Sequence, residues 1–105
     1  MKMLFVAVTA LLATPAVADA VDSAYALCRV VDATGLGSAP CEVSGWNGTV
    51  TATMDMNSGE ARDVCPKIAN MMREKGQRFS GRQWTFQIKS PYSGDNSIAY
   101  CNLPQ

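Results

Sequence analysis

Cys41-Glu42-Val43-Ser44-Gly45-Trp46-Asn47-Gly48-Thr49-Val50-Thr51-Ala52-Thr53-Met54-Asp55-Met56 carries the clearest structural signal in the chain. Two runs of β-forming residues flank Asn47-Gly48, the dipeptide that suits the positive φ angles of a type I′ hairpin turn. A two-residue loop sets Trp46 opposite Thr49 and Val43 opposite Ala52. In that register Cys41, Val43, Gly45, Val50, Ala52 and Met54 share one face, and Glu42, Ser44, Trp46, Thr49, Thr51 and Thr53 share the other. The first set reads as core and the second as a polar outer face.

Upstream of this hairpin, Tyr25 to Val31 is rich in β-formers and reads as a strand, followed by a Gly/Pro-punctuated loop, Ala33 to Pro40. Downstream, Asn57 or Ser58 can cap a helix. Its apolar positions Ala61, Val64, Cys65, Ile68, Ala69, Met71 and Met72 recur at steps of three and four, and it ends near Lys75-Gly76. Asn57 and Glu60 have capping-box spacing. Pro66 predicts a kink, or a helix that begins only near Asp63, because it offers no N–H to the Arg62 carbonyl. Trp84 to Lys89 alternates with period two, Ser90 to Asn96 is a polar loop, and Ser97 to Leu103 completes a second hairpin. The expected fold is therefore α+β: β-β-β-α-β-β, a small antiparallel sheet with one helix packed on one face and two disulfides.

The N-terminus has a different character. Met1-Lys2-Met3 precedes the ten-residue apolar run Leu4 to Ala13, and Pro15-Ala16-Val17-Ala18 ends it with small residues. That is the pattern of a secretory signal peptide over residues 1–18, with cleavage after Ala18 or Ala20. The run is half the length of a bilayer span, about 20 residues, so no stable membrane anchor is expected. Residues 19–105 form the single exported domain, periplasmic or secreted, the Ala-rich cleavage region favouring a bacterial envelope. In an oxidising compartment Cys28, Cys41, Cys65 and Cys101 read as two disulfides. The wide gaps fit neither a four-cysteine zinc site nor a C-x-x-C redox site. Of three connectivities, Cys28 with Cys41 and Cys65 with Cys101 is the preferred one, the sequence only weakly separating them.

Composition limits the chemistry. The chain has 105 residues, nine Lys plus Arg against nine Asp plus Glu, and no His. Absence of His removes Ser-His-Asp and Cys-His catalysis, His-ligated zinc and the usual switch near neutral pH. Asp32, Glu42, Asp55, Glu60, Asp63 and Asp95 could in principle serve a two-carboxylate hydrolase, but each also fits a turn, a cap or an exposed strand position. Neither catalytic residues nor a metal or cofactor are expected. A net charge near zero argues against nucleic acid as partner.

The remaining candidates are binding residues. Leu36 stands between glycines in a loop that a bridge between Cys28 and Cys41 would brace, as in an inhibitor loop. Trp46 beside Thr49 and Thr51 suits a protein hot spot or sugar stacking. Residues 67–89 hold six bases and one acid, and Arg73, Lys75, Arg78 and Arg82 near Phe79 form a candidate basic patch. The expected function is a small, monomeric, exported protein-interaction module, an inhibitor of another exported protein being one form of it. The alternative is a binder of an envelope glycan or polyanion, and a small carboxylate-based hydrolase ranks third.

Overall fold

The computed structural model describes residues 19–105; the signal segment expected over residues 1–18 lies outside them. Six elements follow in order: α1 Asp19–Ala33, β1 Gly37–Ser44, β2 Thr49–Met54, α2 Ser58–Glu74, β3 Thr85–Lys89 and β4 Ser97–Asn102. The strands form one sheet in the order β1-β2-β3-β4. The α+β class holds, as do the helix on one face of the sheet and both disulfides, Cys28 to Cys41 and Cys65 to Cys101.

Two parts of the expected topology are corrected. Tyr25 to Val31 belongs to helix α1, not to a strand. Its buried residues Ala20, Ser23, Ala24, Leu27, Cys28 and Val31 recur at three and four residue steps, so a helical stripe overrides the β propensity of Val30 and Val31. The stripe starts at Ala20, two residues beyond the expected signal segment and at the second of its two candidate cleavage sites. The sheet is also mixed rather than antiparallel: β1/β2 and β3/β4 are antiparallel hairpins, but β2 and β3 run parallel. A strand, a helix across one face and an adjacent strand make a parallel crossover.

The β1–β2 hairpin differs in its turn but not in its faces. Ser44 pairs with Thr49 and Val43 with Val50, so the connection is the four-residue loop Gly45 to Gly48, with Gly48 at φ +64°. The register has moved by two residues, one full side-chain period, and the sorting survives. Val50, Ala52 and Met54 are buried, while Thr49, Thr51 and Thr53 are only partly so. Trp46, however, leaves the strand and stands in the loop. The expected loop Ala33 to Pro40 is shorter than the sequence suggests, since β1 already begins at Gly37.

Helix α2 starts at the Asn57 cap. Asn57 accepts from the Glu60 N–H at 2.8 Å, and Glu60 accepts from the Asn57 N–H at 3.0 Å, a complete capping box. The helix runs through Pro66 rather than beginning at Asp63. It ends in a Schellman motif: Gln77 N–H donates to the Met72 carbonyl and Gly76 N–H to Arg73, with Gly76 at φ +77°.

Both helices lie on one face of the sheet, α1 over β1 and β2, α2 over β4 and β3. Between helices and sheet sits one core, with Leu27, Val31, Val50, Met54, Met72, Phe79, Phe86 and Ile88 almost wholly removed from water. Phe79, expected beside the basic patch, packs against Trp84 with ring centroids 6.1 Å apart. Ser23, the one buried polar side chain among the described residues, donates to Gln77 Oε1 at 2.9 Å and ties α1 to the end of α2.

Candidate functional site

With every helix on one side, the other face of the sheet is left uncovered. The register brings Ser44, Thr49, Thr85 and Asn102 into one row across it, and Glu42, Thr51, Gln87 and Tyr100 into the next. The face is a lattice of hydroxyl, amide and charged side chains, with Tyr100 exposed upon it. Thr49 and Thr51 fall on this face as the sequence indicates.

Trp46 stands at one end of the sheet and is 91% exposed, the most exposed large apolar side chain among the described residues. Its loop is fixed from behind by several contacts. The Arg82 guanidinium donates to the Trp46 carbonyl oxygen at 2.9 Å, Asn47 N–H donates to Ser44 Oγ at 3.3 Å, and Thr85 N–H donates to the Gly48 carbonyl at 3.0 Å. Arg82 lies so close over the turn that a Cβ on Gly48 would meet its Nε at 2.9 Å. Arg82 therefore braces the backbone of the Trp46 loop and leaves the indole in water. The loop also abuts α1: a Cβ on Gly45 would meet Val21 Cγ2 at 4.0 Å. Val21 and, one helical turn on, Tyr25 are themselves exposed. The corner thus joins Trp46 of the β1–β2 loop and Arg82 of the segment before β3, with Val21 of α1 beside Gly45.

The sequence reading places Tyr25 in a strand from Tyr25 to Val31 and gives Val21 no element, whereas both belong to α1. A helical stripe traced back to Ala20 would have put them on the side of α1 away from its buried residues.

The other candidates lie elsewhere. Leu36 is 56% exposed, its N–H donating to Thr34 Oγ1, at the start of β1. Eight residues of strand, about 26 Å, separate it from the Trp46 loop, so one small ligand does not span both. The bridge between Cys28 and Cys41 ties α1 to β1, five residues beyond Leu36. Arg73 in the last turn of α2 donates to Asn70 Oδ1. Arg78 is exposed next to buried Phe79. Arg73 and Arg82 thus serve different neighbours, one on the helix and one on the hairpin loop.

Among the carboxylates, Glu60 is used in the capping box and Asp32 accepts the Cys41 N–H at 3.2 Å. Among the described residues no three His, Cys, Asp or Glu side chains gather as a metal site would require. No helix there is long and apolar enough to cross a membrane. No family model, curated protein or solved structure matches the chain.

Proposed function

We propose that this chain is an exported protein-binding module that meets its partner at the Trp46 corner. The observation that carries the reading is a Trp 91% exposed on a loop whose backbone is held by Arg82 and by β3. An indole left in water adds no burial to the free protein and keeps that area for a partner, and fixing its loop in advance lowers the entropy lost on binding. Trp, Tyr and Arg are the side chains that dominate protein interfaces, and Val21 extends the apolar area around the Trp46 loop. Two disulfides are compatible with export, and the leader pattern of residues 1–18 supports it. Inhibition of an exported partner is one form this binding takes.

A glycan ligand is the second reading. It is favoured by the rows of hydroxyl and amide groups on the uncovered face, which could bond sugar hydroxyls next to a stacking aromatic.

Affinity capture separates the two, with the oxidised domain as bait and Trp46→Ala beside it, eluted in low then high salt. The protein reading expects a stoichiometric protein retained through high salt by the wild-type domain and lost from Trp46→Ala. Recovery of glycan alone, or of a protein that Trp46→Ala retains equally, overturns it.

A further inference from the structure

The two edges of the sheet are finished differently. β1 carries Pro40, two register irregularities, the bridge from Cys41 to α1, and the Cys41 N–H bonded to Asp32. These are the devices by which sheets prevent further pairing. The β4 edge, Ser97-Ile98-Ala99-Tyr100-Cys101-Asn102, contains no proline and no charged residue, and its one register irregularity lies at the Ser97 end. Beside it opens a cavity of about 220 Å³ lined by Arg62 of α2 and by Ser97, Ile98, Ala99 and Tyr100.

The direction of the free backbone groups follows from the ladder. Leu103 N–H donates to the Trp84 carbonyl at 2.9 Å, and Cys101 with Phe86 and Ala99 with Ile88 continue that register. In an antiparallel pair the bonded positions alternate. Cys101 and Ala99 therefore turn their N–H and C=O towards β3, and Tyr100 and Asn102 turn theirs outward, at the edge.

Arg62 adds a charge to this edge. Its helical neighbours three and four residues away are Ser58, Gly59, Cys65 and Pro66, none of them acidic, and β4 supplies no carboxylate either.

We propose that the β4 edge takes an extended peptide segment of a partner protein as a fifth strand, with a carboxylate of that segment paired to Arg62. The outward N–H and C=O of Tyr100 and Asn102 supply the main-chain bonds, and the cavity beside Arg62 receives the acidic group. This deepens the protein-binding reading by naming the partner's chemistry, and it uses a surface separate from Trp46. A second copy of this chain fits less well, since its own β4 brings no acid to Arg62.

The test pans random nine-residue peptides displayed on phage against the oxidised domain and measures resynthesised peptides by fluorescence polarisation. Enriched peptides are expected to alternate β-forming residues and to carry an Asp, a Glu or a terminal carboxylate. Arg62→Glu should weaken their Kd tenfold or more. Tyr100→Pro, which deletes the outward N–H but no bond to β3, should weaken it similarly relative to Tyr100→Ala, and Trp46→Ala should leave it unchanged. Bound peptide should slow amide exchange at Tyr100 and Asn102. If Tyr100→Pro does not fold, Arg62→Glu and the exchange data decide. No enrichment over a blank selection, equal binding by Arg62→Glu, or a dimer through β4 overturns the proposal; loss of capture by Trp46→Ala would still uphold the protein reading.

Discussion

Arg82 reaches across from the segment before β3 to the β1–β2 loop, and its guanidinium bonds the Trp46 carbonyl while its side chain roofs Gly48. The loop that presents the indole is thus held by a residue 36 positions further along the chain. Arg82→Ala should leave the fold intact and free the loop. We expect faster decay of Trp46 fluorescence anisotropy and a change of less than about 1 kcal/mol in urea unfolding, as for an exposed bond. Gly48→Ala should cost more, about 1 to 2 kcal/mol, because an L side chain at φ +64° is strained even if Arg82 swings away.

The two disulfides close loops of different length, with separations of 13 and 36 residues. Chain entropy then predicts a loss of about 3 kcal/mol for Cys28→Ala with Cys41→Ala and about 4 kcal/mol for Cys65→Ala with Cys101→Ala. Urea unfolding of the two double variants checks the order. The reverse order would show that native-state packing around Cys28 outweighs loop length.

Pro66 occupies the interior of α2 and leaves the Arg62 carbonyl without its helical donor. Pro66→Ala should restore that bond. The greater freedom of the unfolded Ala chain opposes the gain, so we expect a net increase of about 1 to 2 kcal/mol. A lower Tm would show that the helix is shaped around the proline.

Ser23 of α1 bonds Gln77, just past the end of α2, with a buried donor. Ser23→Ala should cost about 1 to 2 kcal/mol, and a double-mutant cycle with Gln77→Ala should return a coupling of about 1 kcal/mol. Additive losses would show that the contact only fills space.

Ala20 is buried within α1. Cleavage after Ala20 would remove a core residue, whereas cleavage after Ala18 keeps every described residue of α1. Intact mass of the exported form is expected to place its N-terminus at Asp19; a chain starting at Val21 would refute this.

The α2 capping box, the second hairpin and the polar Thr face were readable because each depends on residues close in sequence. The first helix was not, since its stripe begins at the second candidate cleavage site and its centre consists of good β-formers. The four-residue turn escaped because Asn47-Gly48 satisfies a shorter loop as well. What chose the longer one is distant: Arg82 and the Thr85 N–H hold Trp46 and Gly48 from β3's side. Side-chain alternation puts Trp46 on the outer face of a strand opposite Thr49; the structure exposes it instead from the loop, with Ser44 opposite Thr49. The β4 edge and Arg62 could not be paired in advance, because neither the helix's position over β4 nor which strand would be outermost is local information.

The bridge from Cys28 to Cys41 stays within the unit α1-β1-β2, and the bridge from Cys65 to Cys101 stays within α2-β3-β4. No covalent bond other than the chain itself crosses the parallel seam between β2 and β3. Each bridge can therefore form without the β2–β3 pairing, although Cys65 to Cys101 closes as long a stretch of chain, 36 residues, as that pairing does. The same arrangement means that a fully oxidised molecule can still part along its middle, and there two copies could exchange halves without breaking a single disulfide.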